Sequence, residues 1–205
     1  QYIDGSIRSN GDGKSLAIDK VVREMHFGEP HELCSASYYY EPGSDFQDKG
    51  FKGNVSDTYA FGSQAVKVEV DTYTGNVRVL DVHVSQDVGR VLNPLGLMGQ
   101  VEGGVVMGMG YALTEEMITT AGRIVNPSFH DYKLPTINDI PNVHFYPVET
   151  IDKVGPYGAK GVGEAPLIPT AAAIANAVSE ALGVHIDSLP ITPEKVLRAL
   201  NGSLS

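Results

Sequence analysis

Val66-Lys67-Val68-Glu69-Val70 alternates apolar and charged side chains, Asp71-Thr72-Tyr73-Thr74-Gly75-Asn76 is rich in turn formers, and Val77-Arg78-Val79 resumes the alternation. A period of two puts every second side chain on one face, so this stretch reads as two antiparallel strands joined by a turn, valines inward. Beyond Val79 the apolar set changes phase to Leu80, Val82 and Val84, which predicts either a bulge or a strand buried on both faces. With helical patterns on either side, the hairpin sets the class as α+β: mixed sheet hairpins with packed helices.

Upstream, residues 1–14 read as an extended piece with an Asp4-Gly5 turn and an Asn10-Gly11-Asp12-Gly13 loop. Ser15 is placed to cap a helix running to Phe27, where Leu16, Val21, Val22 and Met25 recur at helical spacing and Gly28 and Pro30 stop it. Tyr38-Tyr39-Tyr40 suggests a strand, and residues 42–54 a polar loop. Downstream, a helix is expected over residues 95–116, then an irregular run holding Pro127, Pro135, Pro141 and Pro147. A glycine-rich loop (155–163), an alanine-rich helix (170–182) closed by Gly183, a short strand (184–187) and a final helix follow. Thr192 as N-cap, Pro193 at the first helical position and Asn201-Gly202 as the stop mark that last helix.

Composition bounds the chemistry. The 205 residues carry 25 acidic and 15 basic side chains, net charge -10, which argues against a nucleic-acid partner because phosphate binding needs a basic face. Cys34 is the single cysteine, so this chain alone builds no disulfide, cysteine-ligated zinc site or iron–sulfur cluster. The longest uncharged stretch, residues 165–179, is short and broken by prolines, so no membrane span is expected. The chain starts at Gln1 with no signal-peptide pattern, and the expectation is a start inside a longer polypeptide. The six histidines form no H-x-x-x-H pair and none sits beside an acidic pair at ligand spacing, so no protein-held metal is expected.

Two glycine-rich segments stand apart. Gly96, Gly99, Gly103, Gly104, Gly108 and Gly110 fall within one predicted helix, at a cost of roughly 5 kcal/mol against alanine, so tertiary contacts must hold it. At about 100° per residue, Gly96, Gly99, Gly103 and Gly110 form one stripe, with Gly104 and Gly108 on its flank. Either another backbone or a flat ligand approaches this face. Gln100 projects between the two groups, where its amide offers an acceptor and two donors. Glu102 points elsewhere and needs a partner, for which Arg90 is the candidate. In the second segment, Gly155-Pro156-Tyr157-Gly158-Ala159-Lys160-Gly161-Val162-Gly163-Glu164-Ala165-Pro166, neither the phosphate-loop nor the dinucleotide fingerprint is present. Its glycines allow backbone N–H groups to crowd a ligand, and Glu164, among Val162, Leu167 and Ile168, is expected to be partly desolvated, which suits a general base.

Four motifs, in order, carry a resemblance: Asp87-Val88-Gly89-Arg90-Val91-Leu92-Asn93-Pro94, Gly99-Gln100-Val101-Glu102-Gly103-Gly104, Asp131-Tyr132-Lys133-Leu134-Pro135-Thr136, and Lys160-Gly161-Val162-Gly163-Glu164-Ala165-Pro166-Leu167. Together with Tyr59-Ala60-Phe61-Gly62-Ser63, they make nearly the whole chain similar to the C-terminal part of the molybdenum-binding subunit of the xanthine dehydrogenase and aldehyde oxidoreductase family. The resemblance implies that residues 1–205 are the C-terminal portion of a molybdenum-cofactor-binding domain, a fragment or a split subunit. It further implies a molybdopterin, in simple or dinucleotide form, whose dithiolene and not a side chain holds molybdenum.

By the same resemblance, the glutamate that Glu164 matches is a general base for oxidative hydroxylation of an electron-poor carbon, with oxygen from water. The residue that Gln100 matches touches the cofactor, with Gly99, Lys160, Gly161, Val162 and Gly163 lining it. Iron–sulfur clusters and FAD are implied on partner chains or domains, in a cytoplasmic hetero-oligomer that includes the remainder of the molybdenum subunit. Purine, aldehyde, N-heterocycle and acyl-CoA aromatic substrates stay open. The rival expectation is a scaffold or interaction domain that keeps the fold without the cofactor.

Overall fold

The computed structural model describes residues 1–28, 56 and 58–202, so the expected strand at Tyr38-Tyr39-Tyr40 and the loop over 42–54 lie outside the described residues. The chain divides into two compact units, residues 1–42 and 43–205.

In the first unit, strands β1 (Tyr2–Ile3), β2 (Ser6–Arg8) and β3 (Ser15–Ala17) form an antiparallel sheet in that order, followed by helix α1 (Ile18–Phe27). Asp4 and Gly5 both take positive φ, as a two-residue hairpin turn requires. The helix begins three residues after the expected cap, because Ser15, Leu16 and Ala17 pair with Arg8, Ile7 and Ser6 instead. Ala17 precedes the helix without a side-chain cap, and α1 buries none of its side chains among the described residues.

The second unit is built on the expected hairpin. Strands β4 (Gly62–Val70) and β5 (Val77–Asp87) run antiparallel, with Asp71 Oδ1 accepting from the Tyr73 and Thr74 amides at 2.8 and 3.1 Å to close the connection. The register shifts after Lys67, so Val68 faces Val79 while Lys67 faces Asp81, and Leu80 is the extra residue. The phase change in the sequence is thus a bulge, and it returns Val82 and Val84 to the buried face.

Helix α2 (Pro94–Leu113) follows, opened by the Asn93 side chain accepting from the Gly96 amide at 2.9 Å. The irregular run contains a small hairpin, β6 (Thr119–Thr120) with β7 (Arg123–Ile124), and then β8 (Asn142–Val148), which pairs parallel with β5. This strand replaces the expected irregularity. Pro147 is tolerated because β8 is an edge strand in the order β4-β5-β8, and Val143 and Phe145 alternate toward the core.

Helix α3 (Thr170–Leu182) ends where expected, at Gly183 in the left-handed region with φ 67°. The strand expected at 184–187 does not form. Its backbone instead turns back on α3, with the Val184 amide on Ser179 O and the Ile186 amide on Ser179 Oγ, and Ile186 still enters the core. Helix α4 (Pro193–Leu200) carries the expected cap, Thr192 Oγ1 accepting from the Lys195 amide at 3.4 Å. Val82, Val84, Val101, Val105, Ile174, Val178, Ile191 and Val196 form one core between the sheet and helices α2, α3 and α4. Each such side chain contributes about 1.5–3 kcal/mol by leaving water. The window Ala165–Leu182 has a mean hydropathy of 1.2, but α3 is 13 residues long and turns Ile174 and Val178 into this core.

Candidate functional site

The glycines of α2 divide by function. A Cβ on Gly104 would stand 3.0 Å from Pro166 Cβ and 3.1 Å from the Leu167 nitrogen, and one on Gly108 2.5 Å from Thr170 Cβ. The close approach anticipated in the sequence is therefore made by the flanking pair, which seats α2 against the segment entering α3. Gly110 faces the Glu115 side chain, so it leaves the expected stripe and joins the packed set. A Cβ on Gly99 or Gly103 would meet nothing within 4 Å among the described residues. The helix thus shows packing glycines on one side and open backbone on the other.

Opposite the open side runs the loop over residues 159–164. Two adjoining hollows separate helix and loop, of about 230 Å³ and about 220 Å³. The first is walled by Arg90, Asn93, Gly96, Lys160 and Val162, the second by Gly99, Gly103, Glu164 and Leu167; Gln100 and Gly163 line both. Glu164 and Gln100, far apart in sequence, are brought to one cleft. Gly161 and Gly163 present open backbone, since a Cβ on either meets nothing within 4 Å. Gly161 lines neither hollow, and Val162 is half-buried.

The environment of Glu164 differs from expectation. Its side chain is exposed and Ile168 is 78% exposed, so the apolar shell expected to desolvate the carboxyl is not made by Val162, Leu167 and Ile168 among the described residues. No described side chain bonds the Glu164 carboxylate, although its backbone carbonyl accepts from the Leu167 amide at 3.1 Å. Glu102 is exposed beside Gly99, Val106 and Ile140, and it forms no ion pair with Arg90, which instead walls the first hollow.

Lys160 points inward. Its ammonium donates to Asp87 Oδ2 at 2.6 Å and to the Tyr59 carbonyl at 2.9 Å, with side chains only 10% and 6% exposed for Lys160 and Asp87. Only its backbone and stem are left to line the cleft. Asp87 Oδ1 accepts from Thr150 Oγ1 at 2.7 Å and from the Gly89 amide at 3.1 Å. Burial pushes the Asp87 carboxyl up, but the bonds from Lys160, Thr150 and Gly89 outweigh it and hold the group below the usual carboxylate range. Asp152 is likewise held low, by the Gly155 and Val154 amides, and takes a bond from Thr58 at 3.0 Å. The Lys160 amide bonds the Val88 carbonyl at 3.0 Å. Gly89 has φ +67°, and a Cβ there would strike the Gly158 carbonyl and stand 2.7 Å from the Lys160 nitrogen.

Asp87 and Thr150 carry no expected role in the sequence reading. The one signal was that Asp87 and Lys160 begin two of the four motifs. Their pairing depends on the ends of β5 and β8 meeting the loop, which no local pattern encodes.

Residues 1–141 match the protein family described as a molybdopterin cofactor-binding domain, a span that includes Gln100 and stops before the Glu164 loop. The xanthine dehydrogenase molybdenum-binding subunit of Escherichia coli O157:H7 is 43% identical over 166 residues, covering 78% of this chain and 22% of that protein. The gamma subunit of the 6-hydroxypseudooxynicotine dehydrogenase complex of Paenarthrobacter nicotinovorans is 40% identical over 181 residues, covering 84% of this chain and 23% of that one. Among solved structures, quinoline 2-oxidoreductase from Pseudomonas putida 86 superposes with a TM-score of 0.71 at 29% identity, over 97% of this chain and 25% of that one. The chain spans about a quarter or less of the length of these relatives.

Proposed function

The chain belongs to the molybdopterin cofactor-binding domain family, and on that footing we propose that it forms the C-terminal part of the cofactor-binding domain of a molybdenum hydroxylase. The observation that supports this most is the cleft in which Gln100 of α2 faces the loop bearing Glu164. The residues present fit such a group. Gly99, Gly103, Gly161 and Gly163 leave backbone uncovered for a flat ring system, and the Gln100 amide supplies paired donor and acceptor character at its edge. When bound, the cofactor supplies the redox centre at which an electron-poor carbon of a purine, aldehyde or N-heterocycle is oxidised, with oxygen from water.

This chain's own residues then bind, orient and move a proton. Gln100, with the backbone of Gly99, Lys160, Val162 and Gly163, lines the pterin, and Gly161 leaves the loop between them uncovered. Glu164 accepts the proton of the water-derived oxygen at a carboxylate oxygen, as a general base. The remainder of the molybdenum subunit covers the cleft and supplies the desolvation that the described residues do not. Electrons leave through iron–sulfur clusters and FAD on partner chains or domains of a cytoplasmic hetero-oligomer; the single cysteine of these 205 residues does not supply the thiolates of a cluster.

Glu164→Gln in the assembled enzyme tests the reading. Turnover should all but vanish while molybdenum content stays at the parental level. Near-parental turnover would remove Glu164 from the mechanism, and an assembled subunit with neither molybdenum nor pterin would make the segment a scaffold.

A further inference from the structure

The loop bearing Glu164 is tied at both ends and untied between. At its root, the buried Lys160 ammonium joins Asp87 and the Tyr59 carbonyl. At its exit, the Pro166 carbonyl accepts from Gln64 Nε2 at 2.6 Å and from Thr170 Oγ1 at 3.0 Å. The middle, Gly161-Val162-Gly163, packs least, with no atom near a Cβ on either glycine. A glycine-flanked segment has many backbone states to lose, so a fixed carboxylate direction must come from the ends.

Both ties show a preference for geometry over stability. A buried ion pair is on balance a poor stabiliser, because the cost of taking two charges from water offsets their attraction, and an apolar pair of equal volume serves packing as well. What the ion pair adds is a single arrangement: Asp87 also receives Thr150 and the Gly89 amide, so its two oxygens are committed to the end of β5, the segment after β8 and the loop at once. Gln64 is similar. Its Oε1 is buried without a partner among the described residues, and flipping the amide would set that oxygen against the Pro166 carbonyl, so the bond to Pro166 fixes which atom is left over.

We infer that Asp87 and Gln64 are positioning residues that act through Lys160 and Pro166 to aim Glu164 across the cleft toward Gln100. The inference rests on the proposed role of Glu164, but the two ties have signatures of their own. The Ala159 and Lys160 amides are bonded at the root, and the Leu167 and Ile168 amides at the exit.

The experiment is amide hydrogen exchange on the full-length subunit, with turnover measured in parallel, for Asp87→Asn, Lys160→Met, Lys160→Arg and Gln64→Leu. Asp87→Asn and Lys160→Met should speed exchange at Ala159 and Lys160 by about tenfold or more, and Gln64→Leu should do so at Leu167 and Ile168, while mid-α3 amides hold their rates. Lys160→Arg, which keeps the charge, should stay near the parental rate at the root. For the Asp87 and Gln64 variants kcat should fall by about 10- to 100-fold with KM within about twofold, as for a misaimed group in a filled site.

Unchanged exchange at both ends, or acceleration spread equally through α3, would overturn the inference, as would Lys160→Arg behaving like Lys160→Met. If Asp87→Asn does not accumulate, the two Lys160 variants decide the root. Should Glu164→Gln prove fully active, the base assignment falls while the exchange pattern still reports on the ties; parental exchange and kcat in Asp87→Asn beside an inactive Glu164→Gln would refute the ties alone.

Discussion

Asp87 and Glu164 are two carboxylates that serve one loop in opposite ways. Asp87 is 5% exposed and receives bonds from Lys160, Thr150 and the Gly89 amide. Glu164 is exposed, with no described side chain bonded to its carboxylate. A buried carboxylate that accepts three hydrogen bonds, one of them from an ammonium, is held in its charged form and in place; an exposed one without such bonds is free to take a proton from a ligand. Burial and perturbed charge are common guides to a reactive group, yet here they mark the root of the loop, and the candidate base is a residue that the described part of the chain leaves uncovered.

Substitutions at the two positions test that contrast. Asp87→Ala strands the buried Lys160 ammonium, and should lower the stability of the unit by about 3–5 kcal/mol in chemical denaturation. Glu164→Ala, at an exposed position, should stay within about 0.5 kcal/mol of the parent in the same assay. Equal losses for the two would erase the distinction.

A second contrast lies within α2. Gly108→Val forces methyl groups into Thr170 and should cost about 1–3 kcal/mol, read as a lower melting temperature. Gly99→Ala enters open space and should raise helix stability by up to about 1 kcal/mol, while lowering molybdenum retention if the cleft holds the cofactor. A destabilising Gly99→Ala would mean that the open side is packed after all.

The smallest effect is that of acid. The Asp87 carboxyl is held low in the folded chain, so its contribution is complete above the unfolded value of about 3.9 and is lost as pH falls through the folded value. Protection of the Lys160 amide should therefore be flat from neutral pH to about 5 and decline only below about 4. Protection that fell between pH 6 and 5 would point to a different group.

Much of this was legible from the residues. The valine alternation at 66–70 and 77–79 encodes the hairpin, because burial of one face enforces a period of two, while the phase change at Leu80 leaves a bulge and a doubly buried strand open, and the β4 register decides for the bulge. Helices α3 and α4 are written in Gly183, Thr192 and Pro193, which act locally. Strand β8 was not legible, since Pro147 and its flanking prolines signal loops and only the partner β5 makes Asn142–Val148 extended. For the site, glycines and motif order pointed to Gln100 and Glu164. What they do not encode is that Lys160 turns inward to Asp87, or that Val162 and Ile168 fail to cover Glu164, because both depend on what packs beside the loop.

In the proposed division of labour Glu164 moves the proton while Asp87 only holds the loop. That division is tested most directly by the turnover number of Glu164→Gln at equal molybdenum content in the assembled enzyme. The expected loss is at least about 100-fold, the scale of a missing general base, with the Lys160 amide protected as in the parent. Turnover within a few-fold of the parent would contradict it.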